Sequence, residues 1–424
     1  MRIGFISLHT SPLAEPGRAD AGGMNVVVNR TACQLAELGH EVEMFTRRSD
    51  PEAPAVTEVR EGVRLILLDA GPAAPLAKSE MERAIEPFSA ELRRVLSGGA
   101  IGGITLEPLD VIHSHHWFSG VAALPVAREL GIVHIQSYHS VAAPKNASSL
   151  ALGEPSESEG RIDGERRVGQ GSDLVVAVSH IEADTIVARY RVPDDKVRIA
   201  RPGVGVEFFT PRTCPPPEQP YLLFAARLQP LKGADLALEV FAKVRERLNG
   251  AAGGAGGADA AGGASGALER YRGLRLVLAG AASDDHDAYP DELRAQAERL
   301  GVADAVDFAG ACSREKLACL MREAALFVLP SWSETFGLVA LESQASGVPV
   351  IGWLGAGGLA EAVAPGGLLM ESRDADDWAE AIVHLLGDDK RLAAAGESAR
   401  EFALEHTWRH TATDLVCAYQ EVLA

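Results

Sequence analysis

Two doubly wound α/β domains, facing each other across a cleft, are predicted from three features of this 424-residue chain. Short β-rich runs alternate with segments whose apolar residues recur at helical spacing. Most of those runs are apolar on both faces, as strands of a parallel sheet covered by helices must be. The whole pattern runs once, breaks at a Pro- and Gly-rich stretch, and runs again. The length agrees, since about 150 residues per domain is the usual allotment. The predicted boundaries are 1–205 for the first Rossmann-like domain and 206–405 for the second, with a closing helix at about 406–424 that packs back on the first.

The opening "MRIGFISL" has one Arg before a short apolar run and no small-residue cleavage pattern, so it is a first strand (2–8) and not a signal peptide. Strands are expected next at 41–46, 63–68, 110–115, 133–138, 173–179 and 196–200, with helical spacing at 24–38 and 180–190 between them. "RPGVGVEFFTP" (201–211) and "CPPPEQP" (214–220) suit a hinge better than an element interior. The second set of strands follows at 221–227, 274–280, 305–310, 325–331 and 348–354. The Gly/Ala-rich segment 249–267 offers almost nothing to bury and is expected to be a flexible insertion after the helix 234–248. From about Glu397 to Leu423 the pattern is helical with no strand to follow.

Composition narrows the function. With 47% apolar and 23% charged residues the chain is an ordinary globular protein, and no apolar run nears the roughly 18 residues of a spanning helix, so no membrane span and a cytoplasmic location are expected. The five cysteines, at 33, 214, 312, 319 and 417, form no C-x-x-C pair and leave one over, which suits a reducing compartment, and Cys312 and Cys319, two turns apart near a helix, are expected to be buried free thiols. A formal charge of −19 argues against a nucleic-acid partner, so any anionic ligand must be held by local groups.

Several local groups qualify. "DAGGMNVVVNR" (20–30) places Gly22 and Gly23 where a loop becomes a helix, so unpaired amides and the positive end of the helix dipole meet an approach with no side chain in the way. The same pair would serve a plain tight turn, and the G-x-G-x-x-G dinucleotide pattern is absent, which disfavours an NAD dehydrogenase. "AARLQPLKGAD" sets Arg227 at a strand end and Lys232 in the loop that opens the next helix, two cations suited to a departing diphosphate. "SETFGLVALES" puts Glu334 just before a helix and Glu342 just over two turns later, so both carboxylates are expected to look out along one face and receive sugar and ribose hydroxyls. "GAGGL" (355–359) is expected to open a further helix as a second anion-binding N-terminus. The cluster "HSHHW" is no metal site: alternation puts His113 and His115 on one face of a strand and His116 on the other, and they are expected to line the cleft at a strand end.

Together, Arg227 and Lys232 in "R-L-Q-P-L-K-G", the Glu334/Glu342 spacing and the glycines at 22–23 resemble the large retaining GT-B glycosyltransferase family that includes sucrose synthases, glycosyltransferase family four. The resemblance covers nearly the whole chain apart from 249–267. Within the family, residues 9–26, 113–120 and 334–351 look most like the branch that glycosylates inositol phosphate in the mycothiol pathway. The resemblance implies a metal-independent, retaining transfer that needs no cofactor. A UDP- or GDP-type nucleotide sugar would be co-substrate, and small-molecule donor and acceptor the partners, with a homodimer as the candidate assembly.

Residue roles follow from the same resemblance. Glu342 would hold the ribose and Glu334 the sugar, while Arg227, Lys232 and the amides of Gly357, Gly358 and Leu359 would hold the diphosphate, with Gly23 facing them. His139 would sit beside the transferred sugar, making His139, Arg227, Lys232 and Glu334 the catalytic set. Lys78, His116, Ser140 and Arg161, with His9, Thr10 and Asn25, would bind the acceptor.

His116 and Ser140 stand where that branch has Tyr and Thr, Pro144 enters the acceptor-side loop, and Trp353 with an extra Gly-Ala lies near the diphosphate. These departures suit a diverged relative in antibiotic biosynthesis, such as the lincosamide-type transfer of a nucleotide-activated octose to the thiol of ergothioneine. A GT-B nucleotide-sugar epimerase, a phosphorylase with pyridoxal phosphate and a non-catalytic sugar-nucleotide binder are the readings from other classes. Nucleoside diphosphate release with and without acceptor separates them from a transferase.

Overall fold

The computed structural model describes residues 1–14, 22–142, 159–250, 264–282 and 286–424. Its first sheet contains β1 (Arg2–Ile6), β2 (Glu41–Arg47), β3 (Val56–Arg60), β4 (Val63–Leu68), β5 (Val111–His115), β6 (Val133–Ser137), β7 (Leu174–Ala177) and β8 (Val197–Ile199), in the order β3-β4-β2-β1-β5-β6-β7-β8. All neighbours are parallel except β3, which runs antiparallel to β4 along the edge. The sequence reading missed β3 because "VTEVR" faces water on its polar residues and lacks the doubly apolar signature of the inner strands.

The second sheet contains β9 (Tyr221–Ala225), β10 (Arg275–Ala279), β11 (Val306–Gly310), β12 (Leu326–Leu329), β13 (Val350–Trp353) and β14 (Leu368–Met370), all parallel, in the order β11-β10-β9-β12-β13-β14. β14 has only three residues and was also unanticipated. In each sheet the strand order reverses once, between β1 and β5 in the first and between β9 and β12 in the second. Helices leave opposite faces at such a point and open a crevice at the carboxyl ends of the strands.

Both sheets are buried on both faces. Against one face of the first pack Val28, Ala32 and Leu35 of the helix Gly23–Glu37 together with Ala412, Leu415 and Tyr419 of the helix Trp408–Leu423. Each such Leu or Val contributes about 1.5–3 kcal/mol when fully buried. The expected terminal helix is in fact two, Asp389–Glu405 and Trp408–Leu423. At the break the Val204 amide donates to the His406 carbonyl at 2.9 Å. A Cβ on Gly203 would lie 2.2 Å from the Thr407 carbonyl carbon, so only glycine lets the two crossing segments touch.

The lobes also meet at the cleft. Ser179 caps the helix His180–Tyr190 by accepting from the Glu182 amide, and its own hydroxyl donates to the Thr335 carbonyl of the second lobe at 2.8 Å. Glu361 of the second lobe accepts from the His180 amide at 2.6 Å and from Arg201 Nη2 at 2.9 Å.

Of the segment 249–267, residues 251–263 lie outside the described residues, while the flanks close in helices Ala234–Gly250 and Ala264–Glu269. Pro144 also lies outside them. The five cysteines are free, but Cys312 and Cys319 are not buried as expected: Cys319 is exposed, like Cys214 and Cys417, and Cys312 half-buried, like Cys33. Among the described residues no helix is long and apolar enough to cross a membrane.

Candidate active site

The crevice of the second lobe gathers several of the residues expected on the donor side. Arg227 lies just past β9, and Lys232 closes the short 3-10 turn Pro230–Lys232 that precedes the helix Ala234–Gly250. Across the reversal point, the loop after β12 carries Glu334. The Lys232 Nζ donates to Glu334 Oε1 at 2.9 Å, with 17% and 12% of the two side chains exposed. Three residues, Thr335, Phe336 and Gly337, separate Glu334 from the helix, which begins only at Leu338, after Gly337 at φ 103°. The shared-face argument for the two glutamates therefore fails, since Glu334 is carried by a loop and only Glu342 by the helix.

Glu334 is positioned by its backbone instead. Its amide donates to the Ala356 carbonyl at 2.7 Å, and its carbonyl accepts from the Gly358 amide at 2.9 Å. This corrects the expectation for Gly358, whose amide is already used inside the protein. A Cβ there would approach the Thr335 carbonyl oxygen to 2.0 Å, so glycine is what lets the two loops interlock. The helix that follows, Leu359–Ala362, is a single turn and offers far less of a dipole than a full helix, so the expected second anion-binding N-terminus reduces to the Gly357 and Leu359 amides.

Glu342 is 3% exposed inside the helix Leu338–Ala345 and accepts from Arg314 Nη1 at 2.6 Å. Burial pushes its carboxyl up from the usual range, against the pull of Arg314 and of Arg30 from the first lobe. Arg314 was not anticipated, since in "CSREKL" it looks like an ordinary first-turn residue. Trp353 packs in a stack: the Arg373 guanidinium lies 3.7 Å from the Trp332 ring centre and 4.9 Å from that of Trp353, and donates to the Pro330 carbonyl at 2.8 Å. Burial lowers the Arg373 pKa to about 10. The stack braces the loops that carry Lys232 and Glu334.

The reversal point of the first lobe faces this crevice. The helix Gly23–Glu37 starts there, and a Cβ on Gly23 would meet only Leu338 Cδ2 of the opposite lobe at 4.0 Å, so the space beside its amide is open. Asn25, expected on the acceptor side, has its side chain engaged inside the protein. It is buried, and its side chain accepts from the Gly22 amide at 2.9 Å while donating to Thr10 Oγ1 at 2.9 Å and the Ser11 carbonyl at 2.7 Å, which ties the 7–11 loop to the helix start. Thr10 keeps a hydroxyl proton to give.

His9 and His116 lie tilted against each other with ring centres 4.3 Å apart; burial lowers both imidazoles, His9 to about 3, with Lys78 and Arg161 among the charges that add to it in each case. Those shifts bring the expected acceptor residues Lys78, Arg161, His9 and His116 into one neighbourhood. Lys78 is exposed at the start of the 3-10 turn Lys78–Ala84, whereas Arg161 is buried. Arg161 donates from Nε to Glu165 Oε1 at 2.7 Å and from Nη2 to Ser140 Oγ at 3.1 Å. Glu165 is wholly buried and also accepts from the Ala142 amide and the Tyr190 hydroxyl.

His139 follows β6 with φ 60°, and His116 has φ 71°. Two imidazole residues held in the left-handed region at one crevice fit the strain that collects at working sites. His139 Nε2 pairs with His115 Nδ1 at 2.8 Å, and burial lowers its pKa to about 4, so it is neutral at pH 7. His113 and His115 do share a face, stacked 4.4 Å apart, but they lie in the interior behind the cleft and do not line it. No group of His, Cys, Asp or Glu able to hold a metal occurs among the described residues.

Known proteins match both halves. Residues 22–203 match the model of the glycosyl transferase 4-like domain, and residues 207–402 that of glycosyl transferases group 1. The D-inositol 3-phosphate glycosyltransferase of Stackebrandtia nassauensis is 38% identical over 432 residues, covering all of this chain and 92% of its own length. The D-inositol 3-phosphate glycosyltransferase of Mycolicibacterium smegmatis is 35% identical over 435 residues, with the same coverage of 100% and 92%. Among solved structures, the sucrose-phosphate synthase from Thermosynechococcus elongatus superposes with a TM-score of 0.81 at 25% identity, over 99% of this chain and 98% of that one.

Proposed function

Because the chain belongs to the GT-B glycosyltransferases of family four, we propose that it moves a sugar, with retention of configuration and without a metal ion, from a UDP- or GDP-type donor to inositol phosphate. That it is a glycosyltransferase acting on a nucleotide sugar follows from the family itself. The observation that carries the finer reading is the Lys232–Glu334 pair at the reversal point of the second sheet. A cation there meets the charge that grows on a departing diphosphate, and a carboxylate beside it takes hydroxyls of the departing sugar.

In this reading Arg227, Lys232 and the amides of Gly357 and Leu359 stabilise the leaving group, and Gly23 lets it pass close to the first lobe. Glu342, held by Arg314, accepts from the ribose hydroxyls. His139 faces the transferred sugar. This reading needs no carboxylate nucleophile: a leaving phosphate oxygen takes the acceptor's proton as the acceptor attacks from the same face. Lys78, Arg161, Ser140, His116, His9 and Thr10 hold the acceptor, whose phosphate the two cations would neutralise.

A second reading concerns the acceptor alone and rests on one observation. The Arg161 guanidinium is tied to the buried Glu165 carboxylate and to Ser140, which reduces the charge it offers a phosphate and favours an uncharged acceptor, as in a diverged antibiotic-pathway relative. A matrix of nucleotide sugars against inositol phosphate, free inositol and small thiols, read by mass spectrometry with the anomer assigned by NMR, tests both. Transfer to inositol phosphate with a retained anomer supports the first reading. Transfer only to an uncharged acceptor supports the second, and an inverted product sinks the retaining step.

A further inference from the structure

Behind the crevice, the polar end of β5 forms a layer of hydrogen-bonded side chains. Ser137 gives its hydroxyl proton to the Val176 carbonyl at 2.9 Å, so its oxygen accepts from His113 Nε2 at 2.9 Å. Burial keeps His113 neutral, and its Nδ1 then accepts from the Tyr419 hydroxyl at 2.7 Å. The tautomer of His113 is thus settled by its partners.

His115 is different. Its Nδ1 meets His139 Nε2 at 2.8 Å, while its buried Nε2 has no partner among the described residues. Thr31, on the inward face of the helix Gly23–Glu37, likewise has a buried hydroxyl without a partner. Both side chains line one cavity of about 20 Å³, walled by Val27, Val176 and Leu415. A space above roughly 10–15 Å³ holds one water, and a buried polar atom left unpaired costs about 1–3 kcal/mol.

We infer that Thr31 and His115, bridged by one buried water in this cavity, are positioning residues that fix the tautomer of His139. The Thr31 proton has no other acceptor among the described residues, so it goes to the water; the water donates to His115 Nε2, and His115 donates its Nδ1–H to His139 Nε2. His139 then carries its own proton on Nδ1, as a donor available to the site. No proton changes owner in this arrangement, and each donor in the chain points the same way, which strengthens every link. The functional half of the inference rests on the reading that His139 faces the transferred sugar.

The test uses full-length enzyme labelled with ¹⁵N-histidine. Wild type and Thr31→Ser should both show His139 protonated on Nδ1, with His139 assigned by its loss in His139→Asn. Thr31→Val should lose that single tautomer at an unchanged fold, judged by circular dichroism and Tm. Its kcat should fall about tenfold, a fraction of the 10²–10³ lost when a positioned donor is removed outright, while the donor KM stays within about twofold. A wild-type tautomer spectrum in Thr31→Val, or equal losses in Thr31→Ser, would overturn the inference. If His139→Asn turns over like wild type, the sugar-facing reading of His139 fails, whereas the relay stands or falls on the spectra alone.

Discussion

The Lys232 ammonium lies 2.9 Å from the Glu334 carboxylate, with less than a fifth of either side chain exposed to water. Before donor arrives each neutralises the other, so neither is left as a bare charge in a semi-enclosed crevice. Lys232→Ala should lower kcat by about 10²–10³, the scale of losing one fixed group at developing charge. Donor affinity should fall less than turnover. Steady-state kinetics beside donor titration by calorimetry separates the two, and a kcat within twofold of wild type would contradict the assignment.

Glu342 and Arg314 form a pair whose carboxylate is almost wholly buried. Glu342→Ala should weaken donor binding by about 1.5–3 kcal/mol, the worth of hydrogen bonds to a charged group, and should also lower Tm because Arg314 loses its partner. Removing Arg314 in addition should recover part of the Tm and none of the affinity. Equal donor affinity in calorimetry for wild type and Glu342→Ala would exclude ribose binding there.

Arg161 and Lys78 distinguish the acceptors. With a phosphorylated acceptor, Lys78→Ala should raise acceptor KM about tenfold or more, since a charge-assisted hydrogen bond is worth about 1.5–3 kcal/mol. With an uncharged acceptor it should leave KM unchanged. Arg161→Ala should destabilise the fold by about 3–5 kcal/mol in either case, because Glu165 would remain as an uncompensated buried charge. Chemical denaturation measures the second effect and acceptor kinetics the first.

Stability should depend on pH in two opposing ways. Burial depresses the imidazoles of His9, His134 and His139, the last to about 4, so the unfolded chain binds more protons below its ordinary value of 6.5. Their contribution is complete above pH 6.5 and is lost as pH falls toward 4. Glu182 acts with the other sign: burial raises its carboxyl from 4.5 to about 7, so the folded state holds a proton that the unfolded state releases, and stability falls as pH rises through that window. Thermal unfolding from pH 4 to 8 should show lower Tm in acid for wild type, and Glu182→Gln should steepen the rise of Tm toward neutrality. An unchanged slope in Glu182→Gln would refute the assignment.

The two sheets were legible because parallel strands buried on both faces carry doubly apolar runs, and the place of Arg227 and Lys232 just past β9 was legible because their loop ends such a run. β3 escaped notice because an edge strand need not be apolar. The role of Asn25 and the pairings of Glu342 with Arg314 and of Glu361 with Arg201 were not legible, since each joins residues distant along the chain whose meeting depends on how helices pack. One signal was present and unused: Ser179 followed three residues later by Glu182 marks a helix start, and that start is where the first lobe grips the Thr335 loop.

The return of the helix Trp408–Leu423 to the lobe in which the chain begins has a consequence for biosynthesis. While the protein is being translated, Val28, Ala32 and Leu35 emerge well before their covering partners Leu415 and Tyr419, so one flank of the first sheet stays uncovered until the helix Trp408–Leu423 has been made. The nascent first lobe is thereby the stretch most exposed to aggregation and to chaperone capture, and its maturation waits on the synthesis of the helix Trp408–Leu423.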